Sequence, residues 1–143
     1  MSDWTEGTEG LEKVIFDTGD VLFSEGDKSY FFYIIEQGEV DIFLPATDTA
    51  SEIHLSTLSS GQAVGEFALV VKKPRSATAR AKTPCTAVKI SEKAYQSLLK
   101  DLPPWCISVM ESLIERLKHT DGMLRDQKVQ KSQMLARIEQ ILG

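Results

Sequence analysis

From Val14 to about Ile90 the chain alternates short apolar runs with glycine-centred turns. The runs "VIF", "VLF", "YFFYIIE", "VDIFL", "IHLSTL" and "TAVKIS" read as strands, and Gly19-Asp20, Gly26-Asp27, Gly38-Glu39 and Gly61 punctuate them. In "VDIF" the residues alternate inward and outward, as in a strand with one face buried. Pro45 to Glu52, "PATDTASE", reads as a polar hairpin loop. Many short strands joined by glycine turns favour a sandwich or barrel over a parallel sheet.

Two stretches depart from this texture. Gly65 to Val71, "GEFALVV", carries small and apolar residues at helical spacing and predicts a short helix after a tight turn. The first N–H groups of such a helix have no intrahelical partner and favour an anion. From Ser91 the pattern is helical throughout. Ser91 is positioned as an N-cap, and Pro103-Pro104 ends one helix and starts the next. Beyond Cys106 the sequence steps by threes and fours through Met110, Leu113, Leu117, Thr120, Leu124, Gln127, Lys131, Met134, Ile138 and Ile141. That heptad seam predicts pairing with a second copy, against the alternative of one helix packed on its own barrel. Gly122 weakens the helix by about 1 kcal/mol relative to alanine and marks a candidate kink. Gln127 and Lys131 would fix register or strand number.

Composition narrows the function classes. The 143 residues suffice for one domain with a core plus an appendage, and 42% hydrophobic with 26% charged residues is ordinary for a soluble protein. No apolar run reaches membrane-span length, and the acidic N-terminus "MSDWTEGTEG" lacks the apolar core of a signal peptide, so a cytoplasmic protein is expected. Cys85 and Cys106 lie far apart and read as free thiols, and His54 and His119 are too isolated for a metal site. A net charge of −5 argues against direct nucleic-acid binding, and no DNA-reading helical pair follows the core.

The candidate chemistry sits in "GEFALVVKKPRSATAR", Gly65 to Arg80. The rigid fork of Arg75 suits paired oxygens of a phosphate or carboxylate. Glu66 beside an anion site accepts only, so its partner is a hydroxyl. A ribose phosphate meets both demands, and a cyclic nucleotide, with its single negative charge, needs only one arginine. The alternative is a Glu66–Arg75 salt bridge closing a surface loop.

This stretch resembles the phosphate-binding cassette of the cyclic nucleotide-binding domain family. The matching residues are Val64-Gly65-Glu66-Phe67-Ala68-Leu69, then Pro74-Arg75-Ser76-Ala77-Thr78 after a spacer of matching length. "FDTGDVLFSEGDKSYFFYIIEQGEVDIF" upstream is similar to the family's first strands, and "RAKTPCTAVKIS" to its last. The resemblance covers about Leu11 to Leu124. It implies a mainly β fold with α: an antiparallel β-roll or jelly-roll barrel with flanking helices over 1–105 and a closing helix after it; with the heptad seam, 106–143 is expected as a long, coiled-coil-like closing and dimerisation helix and a candidate connector to an output. It implies a ligand site of Gly65, Glu66, Phe67, Ala68, Arg75, Ser76 and Ala77, with Arg75 on the cyclic phosphate and Glu66 on the ribose 2′-hydroxyl. In the bacterial catabolite activator group the closing helix reads the base, and "ERLKHTD" supplies Arg116 and Thr120 at matching places. Asp121 departs from that group's hydroxyl residue, and Lys72-Lys73 replace a common glycine. Ser76 with Thr120 points to cyclic AMP, with cyclic GMP the alternative. No cofactor is implied, and the partners expected are the nucleotide and a second copy, not nucleic acid or membrane. A degenerate dimerisation module that binds nothing is the competing reading. Barrel enzymes of the cupin type need clustered histidines, which one histidine in the β region cannot supply.

Overall fold

The structure is a computed structural model and describes residues 10–142; within the last helix the side chains of 121–128, 132, 139 and 142 lie outside the described residues. The strands in chain order are β1 Leu11–Phe16, β2 Val21–Phe23, β3 Phe31–Gln37, β4 Val40–Leu44, β5 Ile53–Leu58, β6 Ala63–Val64, β7 Thr78–Ala81 and β8 Cys85–Ser91. Helix α1, Glu66–Val71, interrupts them, and α2, Glu92–Asp101, and α3, Pro104–Leu142, follow.

The strands form two antiparallel sheets, ordered β1-β8-β3-β6 and β2-β7-β4-β5. Their inner faces meet over Ile35, Val40 and Val64, all fully buried, and Phe16, Leu22, Phe23, Tyr33 and Ala87 extend the core; Val88, also fully buried, lies outside this cluster. Burying a side chain of this kind contributes about 1.5–3 kcal/mol each. Tyr33 meets Phe16 and Phe31 edge-on, with centroids 5.5 and 5.3 Å apart, an arrangement the ring quadrupoles favour. This is the expected β-roll.

Several local expectations shift. The strict alternation expected in Val40–Phe43 fails, because a bulge falls between Ile42 and Phe43; Val40 and Phe43 are buried and Ile42 only half so. The extra residue of a bulge turns the strand by one position. β1 begins three residues before "VIF", because Leu11–Lys13 pair with Val88–Ile90. β6 and β7 carry too little apolar signal to stand out as strands. "TARA" nevertheless occupies the interior of its sheet between β2 and β4, with Ala79 and Ala81 buried. Gly38 is one turn glycine that cannot be replaced without strain: its φ is +97°, and a Cβ there would run into the Pro84 carbonyl.

Cys85 is buried with Sγ directed at the Glu39 and Thr83 carbonyls, 3.2 and 3.1 Å away, and both cysteines are free thiols. α3 runs as helix through Gly122 without interruption and begins at Pro104, so the boundary expected between 105 and 106 falls in its first turn. Trp105, Val109, Leu113 and Leu117 are exposed, as are Met134, Ile138 and Ile141 further on. Met110, expected on the seam, instead lines a cleft of about 480 Å³ with Leu69, Tyr95, Leu99 and Ile114. Its half-turn faces α1 and α2, while Leu113 is exposed. The seam residues Leu124 and Gln127 lie outside the described side chains. Among the described residues no helix is long and apolar enough to cross a membrane.

Ser91 caps α2 as expected: its Oγ accepts from the Ala94 N–H at 3.1 Å. Ser91→Ala is expected to lower unfolding free energy by about 0.5–2 kcal/mol. Urea denaturation followed by tryptophan fluorescence measures this, and an unchanged midpoint would remove the cap from the account.

Candidate functional site

The site is built on the turn into α1. Gly65 adopts φ 83°, ψ 5°, and no side chain caps the helix. A Cβ at Gly65 would strike the Arg75 guanidinium and stand 2.8 Å from the Phe23 ring. Both backbone conformation and space therefore demand glycine. α1 ends at Lys72, a non-glycine residue with φ 56°, whose left-handed turn sends the chain back toward β2.

That return positions Arg75. Its backbone N–H donates to the Asp27 carbonyl at 2.8 Å, and its carbonyl accepts from the Gly26 N–H at 2.8 Å. The side chain is 2% exposed and lies between two rings, 4.1 Å from the Phe23 centroid and 5.1 Å from that of Phe31. Nη1 donates to the Gly65 carbonyl at 2.6 Å and Nη2 to the Phe31 carbonyl, while Nε is buried with no protein partner. Burial draws the guanidinium pKa down, and Tyr33, Asp27 and Glu66 act in the opposite direction. The ion pairs among the described residues do not join Glu66 to Arg75, so the loop-closing salt bridge is not formed.

Glu66 opens α1. Desolvation by surrounding protein pushes its carboxyl above the usual value, against its own backbone N–H and the nearby Arg75. The residue still presents much of its surface to solvent. It lines a cavity together with Arg75.

That cavity measures about 550 Å³, of the size that holds one small molecule. One side is lined by Gly65, Glu66, Phe67 and Ala68 of the α1 turn with Arg75, Ser76 and Ala77. The β-roll wall adds Phe23, Ile42, Ser56, Leu58, Gln62 and Ala63, and α3 supplies Leu117 and Thr120. Eight of the nine residues expected at the site thus meet around one space. Arg116 is the exception: it is exposed and does not line the cavity. Adjacent residues on a helix are turned by about 100°, and Leu117, though largely exposed, takes the place on the cavity. Ile42, Ser56, Leu58, Gln62 and Leu117 were not anticipated, because no local pattern marks which strand face closes over α1. Chemically the arrangement offers a cation, an acceptor carboxylate and apolar walls. Among the described residues no group of three His, Cys, Asp or Glu could hold a metal ion.

Residues 13–101 match the family model described as the cyclic nucleotide-binding domain. The cAMP-dependent protein kinase regulatory subunit of Blastocladiella emersonii is 38% identical over 94 residues, covering 66% of this chain and 23% of that protein. The cGMP-dependent protein kinase of Plasmodium berghei (strain Anka) is 28% identical over 118 residues, covering 82% of this chain and 13% of that protein. This chain therefore spans less than a quarter of the length of either relative. Among solved structures, the EAL enzyme Bd1971 in its cAMP-bound form aligns with a TM-score of 0.64 at 30% identity, over 83% of this chain and 32% of that one. Its cGMP-bound form aligns with a TM-score of 0.67 at 28% identity, over 90% of this chain and 34% of that one.

The raised Glu66 carboxyl sets a pH dependence. A carboxyl whose pKa is higher in the fold than in the unfolded chain favours the fold while protonated. That advantage is complete below its unfolded value and is lost as pH rises through the folded value. At neutral pH the ionised group is therefore a small liability, under about 1 kcal/mol given its solvent access. Glu66→Gln is expected to raise the ligand-free melting temperature slightly at pH 7, with the gain vanishing toward pH 4. A melting series across that range would contradict the assignment if the gain grew on acidification.

Proposed function

The chain belongs to the cyclic nucleotide-binding domain family, and from that premise we propose that it is a sensor module for a cyclic nucleotide, cAMP foremost and cGMP second. The observation that carries this reading is the single cavity shared by Arg75 and Glu66. The Arg75 guanidinium takes the cyclic phosphate. To do so it exchanges the Gly65 and Phe31 carbonyls for phosphate oxygens, or adds them at Nε. Glu66 accepts from the ribose 2′-hydroxyl, a demand that disfavours deoxy analogues. Gly65, Phe67 and Ala68 lie along the sugar-phosphate, with Ser76 and Ala77 beside it, and Thr120 meets the base. Arg116 has no part in this ligand shell as the helix stands.

The module regulates rather than catalyses. Ligand favours the placement of α3 in which Leu117 and Thr120 contact it, and α3 passes that preference to an output domain or partner. Segment 106–143 acts as the closing and dimerisation helix on the β-roll of 1–105 and as the connector to that output. A second copy pairs along the exposed Leu113 face as a coiled coil, in the cytoplasm and without direct contact to nucleic acid or membrane. One observation favours the competing module that binds nothing: two donors of Arg75 are already met by backbone carbonyls.

Calorimetric titration with cAMP and cGMP, on protein stripped of copurified ligand, separates these readings. Binding is expected, and Arg75→Ala should weaken it by about 2–5 kcal/mol, roughly thirtyfold to several thousandfold. Unchanged affinity in the variant removes Arg75 from the site, and silence with both nucleotides leaves the dimerisation module. For the dimer, sedimentation equilibrium should show a concentration-dependent two-fold mass that Leu113→Glu shifts to monomer, since a carboxylate is costly in an apolar seam. A monomeric parent chain would sink the pairing.

A further inference from the structure

Gln62 lies in the turn between β5 and β6, and its side chain is held in one orientation. Its Oε1 accepts from the Ser59 N–H at 2.8 Å and stands 3.3 Å from the Ser59 hydroxyl. A backbone N–H can only donate, so the atom it meets must be the amide oxygen. This leaves Nε2, with two N–H donors and no acceptor capacity, free of any protein partner among the described residues. The turn itself is pinned to β3, where the Gln62 carbonyl accepts from the Ile35 N–H at 3.0 Å and the Gly61 N–H donates to the Ile35 carbonyl at 2.7 Å. Gln62 therefore presents a donor from a rigid base, and it lines the same cavity as Arg75.

Gln62 is exposed, and the rest of the cavity lining says what its donor meets when turned inward. The α1 turn and Arg75 occupy the side that would hold phosphate and ribose. The base then lies along the remaining wall of Ile42, Ser56, Leu58 and Gln62, under Thr120. The Ser56 and Thr120 hydroxyls both donate and accept, so neither separates one purine from another. Gln62 does. Guanine presents two acceptors on its outer edge, O6 and N7, whereas adenine presents N7 beside a donor amino group. A donor-only amide is matched to guanine on both atoms and opposed by the adenine amino group on one.

We propose that Gln62 is a base-reading residue that brings guanine cyclic nucleotides into the ligand set of this site. The inference rests on the cyclic-nucleotide reading above and names the group that sets the balance between its two ligands. Gln62→Glu isolates the effect. It keeps a carboxyl oxygen for the Ser59 N–H and replaces the donor with a second acceptor. The added charge bears on the phosphate of either nucleotide alike, so it cancels in the ratio.

The experiment is calorimetric titration of the parent chain and Gln62→Glu with cAMP, cGMP and cyclic inosine monophosphate, which retains O6 and N7 but lacks the 2-amino group. The parent chain should bind the inosine nucleotide within about threefold of cGMP, as the acceptors are shared. In Gln62→Glu, cGMP and the inosine nucleotide should each weaken at least about tenfold relative to cAMP, the size of one lost hydrogen bond. An unchanged ratio overturns the proposal. So does a parent chain that binds the cyclic nucleotide of unsubstituted purine, which has no O6, as tightly as cGMP; this comparison needs no variant to fold. Binding of cAMP with no response to either O6-bearing nucleotide also overturns it, while leaving the cyclic-nucleotide site in place. Failure of every nucleotide overturns both.

Discussion

A guanidinium beneath the protein surface needs partners, and the architecture around Arg75 supplies them to both Nη atoms while leaving Nε unmet. A charged group cannot be withdrawn from water without partners. Here the partners come from four places in the chain. Phe23 on β2 and Phe31 on β3 supply ring faces, the Gly65 and Phe31 carbonyls accept hydrogen bonds, and the Asp27 carbonyl holds the arginine backbone. Glycine at 65 is part of the same solution, since any side chain there would occupy the space of the guanidinium. The arginine thus ties α1 to both sheets. Its charge is compensated by dipoles and rings, and no direct ion pair joins it to Glu66 among those described. An anion introduced beside it would meet a cation whose countercharge is incomplete.

The same short helix stands between two spaces. Its first turn lines the cavity that holds Arg75 and Glu66, and its last residues line the cleft against α2 and α3. α3 spans both, with Leu117 and Thr120 on the cavity and Met110 and Ile114 in the cleft. α1 and α3 thus border the same two spaces. A shift of α1 would therefore alter the shape of both spaces that α3 borders. The exposed apolar residues of α3 are where such a change would be felt by a second chain.

Much of the fold was legible in the chain because local chemistry and global fold agree. "IHLSTL" is strand β5 from end to end, and "GEFALVV" holds α1 after its glycine. Ser91 caps α2, and Pro104 opens α3. "TARA" was silent because small residues at a crowded sheet centre carry no apolar periodicity. The bulge at Ile42–Phe43 was hidden because its cause is pairing with β5, not anything within "VDIF".

The division within the site has the same origin. Sequence alone determined the α1 turn, the arginine after proline and the carboxylate at the helix start, because these lie within eleven residues, Gly65 to Arg75, and their chemistry is local. It also determined a helical C-terminus with an apolar repeat. Only the tertiary structure decided that Arg75 turns inward between two phenylalanines rather than toward Glu66. It also decided that Leu117 and Thr120 face the cavity while Arg116 faces solvent, and that Met110 belongs to the α1–α2 cleft. Those outcomes depend on which surface a helix rests upon. A helical pattern defines which residues share a face, but the partner that covers the face is distant in sequence and is selected by packing.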